Sequence, residues 1–153
     1  MAAVALLAAG GLASFARSDE RPLLVIVPAQ RSDTPNADEI SLIFKRRKLF
    51  WEDGSRIQAV NLPPDHPLRQ RFSRSILKMS SDALETYWNQ QYFNGVVPPH
   101  VLASEAAMLR FVADTPSAIG YVSACQPDSR VRVILLISAD GRVLPLESAP
   151  VCN

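Results

Sequence analysis

Apolar residues along the chain fall into short runs with the spacing of strands. Two runs are continuous and rich in branched side chains, "LLVIVP" at 23–28 and "VRVILLI" at 131–137, which is typical of strands buried on both faces. Further strands are predicted at "RIQAVNL" (56–62), after the turn residues of "TPSAIGYVSA" (115–124), and as a short edge strand at 143–146. The chain is therefore expected to form a sheet of four or five strands.

Between the first two of these strands in chain order, apolar residues take the spacing of a helix. Asn36 is the expected N-cap, and Glu39 completes a capping-box pattern. Ile40 and the apolar residues that follow it at helical spacing are expected to face the core. The basic run 45–48 stands where this helix should end, and cations there complement the helix dipole. The alternative for this run is an anion-binding or partner-binding patch.

Two more helices are predicted before residue 94. The second helix repeats apolar residues every four positions from Leu68, and Asp65 is its expected N-cap. The third has Asp82 or Ser81 as its expected cap. It carries a stripe that we expect to pack in the core, with a ligand-stacking surface as the alternative; the stripe consists of Leu84, Tyr87, Trp88, Gln91 and Tyr92.

A fourth helix is predicted from its cap Ser104 to about Ala113, with Met108 facing inward. Gly120 in the following strand indicates a close backbone approach. Strands interleaved with about four helices predict an α/β domain with a mixed sheet. At 153 residues and 48% apolar composition, the chain is sized for one domain, which we place at residues 17–153.

The first residues, "MAAVALLAAGGLASFARS", carry no charge before Arg17. The apolar run is short for a bilayer span, and Ser14 and Ala16 are small residues suited to a cleavage site, so residues 1–16 are interpreted as a signal peptide for export to the periplasm. The usual positive residues at the start are absent. An uncleaved anchor and a helix of the mature fold remain the alternatives.

The net charge and the cysteine content limit which nucleic-acid, metal and disulfide partners are expected. Sixteen basic and fifteen acidic residues give a net charge of +1, which offers no whole-protein attraction to nucleic acid. The only two cysteines, Cys125 and Cys152, lack the ligand spacing of a metal site. In an oxidising compartment they are candidates for a disulfide that ties down the C-terminal tail; the alternative is two unrelated thiols.

Enzymatic signals are weak. The two histidines, His66 and His100, both lie in proline-flanked loops, and no nucleophile is marked by the sequence beside them. No phosphate-cradling glycine loop, dinucleotide fingerprint or zinc spacing is present. We therefore expect neither an enzyme nor a cofactor.

Several phrases, taken in order, resemble the periplasmic phosphate-binding proteins of ABC importers. They are "ADEISLIFKRRKLFWEDG" as a capped helix ending in a Trp turn, "IQAVNL" as a strand, "SEAAM" opening a helix, and "SAIGYVS" as the strand after it. The match covers roughly Leu23 to Ser123. Such receptors close two lobes over an anion, so the resemblance implies one lobe of the type II periplasmic-binding-protein kind.

The resemblance also implies where phosphate would bind. In that family, the strand after the Trp turn runs into a helix N-terminus rich in Arg, Ser, Gly and Thr, where hydroxyls and backbone N–H groups hold the anion. Here the junction is "NLPPDHPLR", whose three prolines have no N–H to donate. Asp65 adds a carboxylate that would repel phosphate. Arg69 is a weak candidate for binding the anion, and pairing with Asp65 or facing solvent is the simpler expectation for it.

A weaker anion site is predicted at "AQRSDTPNADE" (29–39), where Arg31, Ser32 and Thr34 precede a helix; turn and capping roles are the alternative for the two hydroxyls. Two functions follow. The first is an exported, non-enzymatic receptor-like protein that binds phosphate or another oxyanion, alone or as an oligomer, next to an ABC transporter. The second is a periplasmic interaction or structural protein that kept the lobe and lost the ligand site.

Overall fold

The computed structural model describes residues 21–125 and 128–149. The described chain holds six strands in one mixed sheet, one more than the upper end of the expected range, and the extra strand is a two-residue edge strand. The strands are β1 (Leu23–Pro28), β2 (Gln58–Asn61), β3 (His100–Val101), β4 (Ala118–Ser123), β5 (Val131–Ile137) and β6 (Val143–Leu144).

The strand order across the sheet is β3-β2-β4-β1-β5-β6. β2 pairs in parallel with both β3 and β4, whereas β1 pairs antiparallel with β4 and β5. β1 is buried along its whole length, as its continuous apolar run predicts, because it lies between two long strands. The expected α/β fold with a mixed sheet is confirmed.

Four α-helices lie among the described residues, in agreement with the expected number: α1 (Ala37–Phe44), α2 (Pro67–Phe72), α3 (Ser81–Phe93) and α4 (Glu105–Asp114). The capping box of α1 is present, with Asn36 accepting from the Glu39 N–H and Glu39 accepting from the Asn36 N–H. Ser104 caps α4 as predicted. A π-helical segment (Ser73–Leu77) follows α2, and a 3-10 turn (Leu146–Ser148) follows β6.

Two predicted helix caps are wrong by one residue or more. α2 is capped by His66, whose Nδ1 accepts from the Leu68 N–H at 3.1 Å, whereas Asp65 is exposed in the preceding turn. Pro67 takes the first helical position, where its missing N–H costs nothing, and this places the cap at residue 66. α3 is capped by Ser80, one residue before the predicted candidates.

The aromatic stripe predicted to pack in the core does so only in part. Leu84 is the buried residue of α3, Tyr87 and Trp88 are half-buried, and Tyr92 is 71% exposed, so the prediction is wrong for Tyr92. The inward contacts of α3 come from residues before Tyr92: the Tyr87 hydroxyl donates to the Lys45 carbonyl at 2.7 Å, and Leu84 and Trp88 line a cavity shared with α2. Phe93 beside it is 88% exposed.

Aromatic rings join the helices to the sheet. Tyr121 of β4 stacks on Phe72 of α2 with ring centroids 4.3 Å apart and planes 4° apart, and Phe44 of α1 lies 4.6 Å from Phe72. Gly120 is required beside Tyr121, since a Cβ there would run into the side chain of Met108 on α4. The predicted close approach at Gly120 is therefore confirmed. Within the described residues, no helix has both the length and the apolar content to cross a bilayer.

Candidate functional site

The junction between β2 and α2 is the first candidate site. Three of the six residues from 63 to 68 are prolines without an N–H, and two of the other three already donate inside the protein: the His66 N–H to Pro63 O at 3.0 Å and the Leu68 N–H to the His66 ring. An anion arriving here would have to displace these bonds. The junction is thus closed by its own backbone and by the His66 side chain.

Tyr121 of β4 contacts the same junction where it leaves β2. Its buried hydroxyl donates to Asn61 Oδ1 at 2.7 Å and accepts from the Leu62 N–H at 3.3 Å. Burial raises the pKa of Tyr121, although the hydrogen bond from Leu62 and the nearby charge of Arg69 oppose the rise. The phenol therefore stays neutral and acts as a structural bridge between β4 and the end of β2.

Arg69 does not pair with Asp65, contrary to the prediction. Its guanidinium donates to the Leu62 carbonyl at 2.8 Å, which ties the first turn of α2 back to the end of β2. Burial lowers the pKa of Arg69, and the Tyr121 hydroxyl partly offsets this. Arg69 also lines a cavity of about 310 Å³ with Trp88 and Ser73.

The other predicted anion site surrounds Arg31 at the end of β1. Arg31 is only 9% exposed, and its guanidinium donates to Pro116 O at 2.9 Å, to Asp33 at 2.7 Å and to Ser55 at 3.2 Å. It also lies 4.7 Å from the centroid of the Trp51 ring. The cation is therefore already surrounded by protein partners.

Carboxylates dominate the open space next to Arg31. The adjoining cavity of about 500 Å³ is lined by Asp33, Glu52 and Asp53 together with Ser32. Burial alone would raise the pKa of Asp33, but the Glu52 N–H and the Arg31 guanidinium outweigh it and lower that pKa. A phosphate would meet this fixed negative charge. Ser32 and Thr34 are exposed.

These predicted residues do not form one site. Arg31 and Ser32 line the acidic cavity, whereas Arg69 lines a different cavity between α2 and α3. As ligand groups they stay a prediction. Cys125 lies directly after β4, and Cys152 lies outside the described residues, so their predicted pairing also stays a prediction.

A second group of basic residues was indicated by the sequence only as the alternative reading of the run 45–48, and without its members Arg56 and His100. Arg46, which follows α1, and Arg56, which precedes β2, line one cavity of about 490 Å³ together with His100 at the sheet edge. The basic run 45–48 is predicted mainly to complement the dipole of α1, and Arg56 lies ten positions after Arg46 in the sequence. A sequence signal existed only in the unusual density of Arg and Lys after α1.

Comparison with solved structures defines the class of fold. An ABC-type phosphate transport receptor from Vibrio cholerae superimposes with a TM-score of 0.60 at 18% identity, covering 74% of this chain and 45% of the receptor. A putative phosphate ABC transporter substrate-binding protein with bound phosphate from Clostridium perfringens gives 0.61 at 14% identity, with the same coverages. A possible phosphate binding protein from Planctomyces limnophilus gives 0.55 at 11%, covering 76% of this chain and 42% of that one.

The chain has the fold of one lobe of these phosphate-transport receptors, and it spans less than half of their length. The resemblance predicted from the sequence is confirmed at the level of the fold. Neither a protein-family model nor a curated protein matches the sequence.

Proposed function

We propose that this chain is an exported, non-enzymatic receptor-like lobe, of the kind found in phosphate import, in which the β2–α2 junction no longer holds phosphate. The observation that carries the proposal is the closure of that junction, where prolines replace donors and the Leu68 N–H is consumed by His66. An isolated strand-to-helix entrance with free N–H groups would attract an anion; here three of the six residues from 63 to 68 have no N–H, and two of the other three N–H groups are paired.

The non-enzymatic assignment rests on the same contacts. His66 uses Nδ1 to cap α2, so this nitrogen is not available as a general base in the folded state. Asp65 is exposed beside it, and no hydrogen bond between Asp65 and His66 is found within the described chain. The solved structures of the same fold are transport receptors.

Residue-resolved titration tests the closed junction. Inorganic phosphate is added to the ¹⁵N-labelled protein at low ionic strength, and the amide signals of His66, Leu68 and Arg69 are followed by NMR. We expect these signals to stay in place up to millimolar phosphate. Saturable shifts at these amides, with a parallel rise in melting temperature by mass action, would contradict the proposal.

Export is proposed from the sequence of residues 1–16, which lie outside the described residues. The expected result is a secreted form that begins at Arg17 when its N-terminus is sequenced. A protein that keeps residues 1–16 and remains with the membrane fraction would favour the uncleaved anchor.

A second candidate function, protein contact through an apolar surface, is favoured by a specific feature. Tyr92, Phe93, Val97 and Val101 are 71%, 88%, 57% and 45% exposed at the end of α3 and along β3. We call these four residues the edge patch. The chain has the fold of a single lobe, and the receptors that it resembles close two lobes over a ligand, so a surface that contacts another lobe fits this fold. A second copy of this chain is the simplest source of that lobe, and it would cover the edge patch with its own.

A further inference from the structure

We propose that the cavity formed by Arg46, Arg56 and His100 binds a small phosphate monoester, at a place distinct from the closed β2–α2 junction. The cavity encloses about 490 Å³ against the edge of β2, and no carboxylate is among the described residues that line it. Arg46, Arg56 and His100 therefore line a space that has no neighbouring carboxylate among the described residues, while the Arg56 guanidinium also lies 5.9 Å from the centroid of the Phe50 ring.

The charges of the two arginines lack counterions. Neither Arg46 nor Arg56 takes part in an ion pair within residues 21–125 and 128–149, whereas Arg31 and Arg130 each do. Burial lowers the pKa of Arg46, and the nearby positive charge of Arg56 lowers it further, so the two like charges lie close enough to repel. A dianion between them would replace this repulsion by attraction to both.

One polar atom of the pair is buried without a partner. Arg46 Nε is shielded from solvent and has no hydrogen-bond partner among the described residues. Buried donors are nearly always satisfied, so an orphaned guanidinium N–H calls for an explanation such as an unseen ligand. A rotation of the Arg46 side chain towards the cavity would let an oxyanion there supply the missing acceptor.

The backbone at Arg46 gives an independent argument. α1 ends in a Schellman motif: the Arg46 N–H donates to Ile43 O at 3.0 Å and the Arg47 N–H donates to Leu42 O at 2.8 Å. Arg46 fills the left-handed position of this motif, with φ of 61°. Glycine is the usual residue there because a Cβ is strained in that conformation. The chain thus keeps an arginine side chain where local stability favours glycine, which points to a role for the guanidinium.

The lining of the cavity selects the class of ligand. A phosphate monoester carries close to two negative charges at neutral pH, which matches the two guanidinium groups. The rest of the lining is mostly apolar and includes Ile57, Pro99 and Phe111, with Gln58 as its one uncharged polar side chain. An organic body attached to the phosphate would pack on these residues, whereas inorganic phosphate would leave that surface in water.

Phenyl phosphate, inorganic phosphate and benzyl alcohol are suitable probes, because they separate charge from apolar contact. The measurement follows the Arg Nε–H signals of the ¹⁵N-labelled protein during titration at low ionic strength. We expect phenyl phosphate to shift the Arg46 signal saturably, with a dissociation constant below about 1 mM. Inorganic phosphate should bind several-fold more weakly, and benzyl alcohol should cause no shift.

Three variants make the test specific. Arg46→Gly and Arg56→Gln should each weaken phenyl phosphate binding by about tenfold or more, which corresponds to the loss of one charged contact. For Arg46→Gly, binding is read at the amide signals around the cavity. Arg47→Gln removes the same charge from an exposed neighbour outside the cavity and should leave the affinity within about twofold. Arg46→Gly should melt at the same temperature as the wild type or higher, since it relieves the left-handed strain.

The proposal is overturned if no probe produces a saturable shift, if Arg46→Gly and Arg56→Gln bind as well as the wild type, or if Arg47→Gln weakens binding equally. Phosphate-dependent shifts at His66 and Leu68 would contradict the closed junction instead. The two proposals therefore fail independently.

Discussion

At the scale of single residues, the structure assigns Arg31 a stabilising role. Its guanidinium contacts Pro116, Asp33 and Ser55 and lies over the Trp51 ring, so it joins the end of β1 to two loops. The sequence placed Arg31 near a helix N-terminus and made it a candidate for anion binding. Its burial and its ion pair with Asp33 favour a structural cation instead.

We therefore expect Arg31→Met to lower the free energy of unfolding by about 3 kcal/mol, because breaking a buried pair leaves an uncompensated carboxylate. Urea denaturation followed by circular dichroism measures the change. Arg130→Met is the matched control: the Arg130–Asp128 pair is about half exposed and is screened by solvent, so its loss should lower the free energy of unfolding much less than the loss of Arg31 does. Equal effects of the two variants would show that the contacts of Arg31 with the two loops do not stabilise the fold.

At the scale of secondary-structure elements, local signals predicted most of the order of the chain. The continuous run of β1, the capping box of α1 and the Ser104 cap of α4 depend on residues within a few positions of each other. The cap of α2 is His66 and not Asp65 because Pro67 takes the first helical position, and α3 is capped by Ser80, one residue before the predicted Ser81. Pairing between elements lay beyond these signals.

Tyr121 shows how one buried hydroxyl couples two elements. It bridges β4 to the end of β2 through Asn61 and the Leu62 N–H. Tyr121→Phe should lower the free energy of unfolding by about 1–3 kcal/mol, since it leaves both buried partners unsatisfied. Tyr92→Phe removes a hydroxyl from an exposed ring and should change it by less than about 0.5 kcal/mol. A Tyr121→Phe variant as stable as the wild type would mean that the bridge contributes nothing.

At the scale of the whole molecule, the chain is one lobe of a fold that solved receptors use in a longer form. The central strands of the sheet are buried, whereas the edge patch, which lies at the end of α3, in the following loop and in the edge strand β3, is exposed to solvent. Large exposed aromatic side chains that cluster are typical of contact surfaces. We therefore expect a second copy of this chain to dock on the edge patch.

The double variant Tyr92→Ser/Phe93→Ser tests that expectation. If two copies associate through the edge patch, size-exclusion chromatography with light scattering should show a dimer for the wild type and a monomer for the variant. The unfolding free energy of the monomer should change little, because both side chains are exposed. Leu146→Ser is the control, since it removes an exposed apolar residue just after β6, at the opposite edge of the sheet. A wild type that is monomeric at high concentration would exclude the homodimer.

The sequence by itself determined five of the six described strands, the number of described helices with two of their four caps, and the α/β class, and a resemblance in short phrases led to the fold of one lobe. These features follow from periodicity and capping, which act over a few residues. Only the tertiary structure decided that Arg31 donates a hydrogen bond to the carbonyl of Pro116, 85 positions away, and that Arg46 and Arg56 share a cavity with His100. Whether a charged group is neutralised or left open depends on which distant residues the fold brings beside it, and no local pattern encodes that distance.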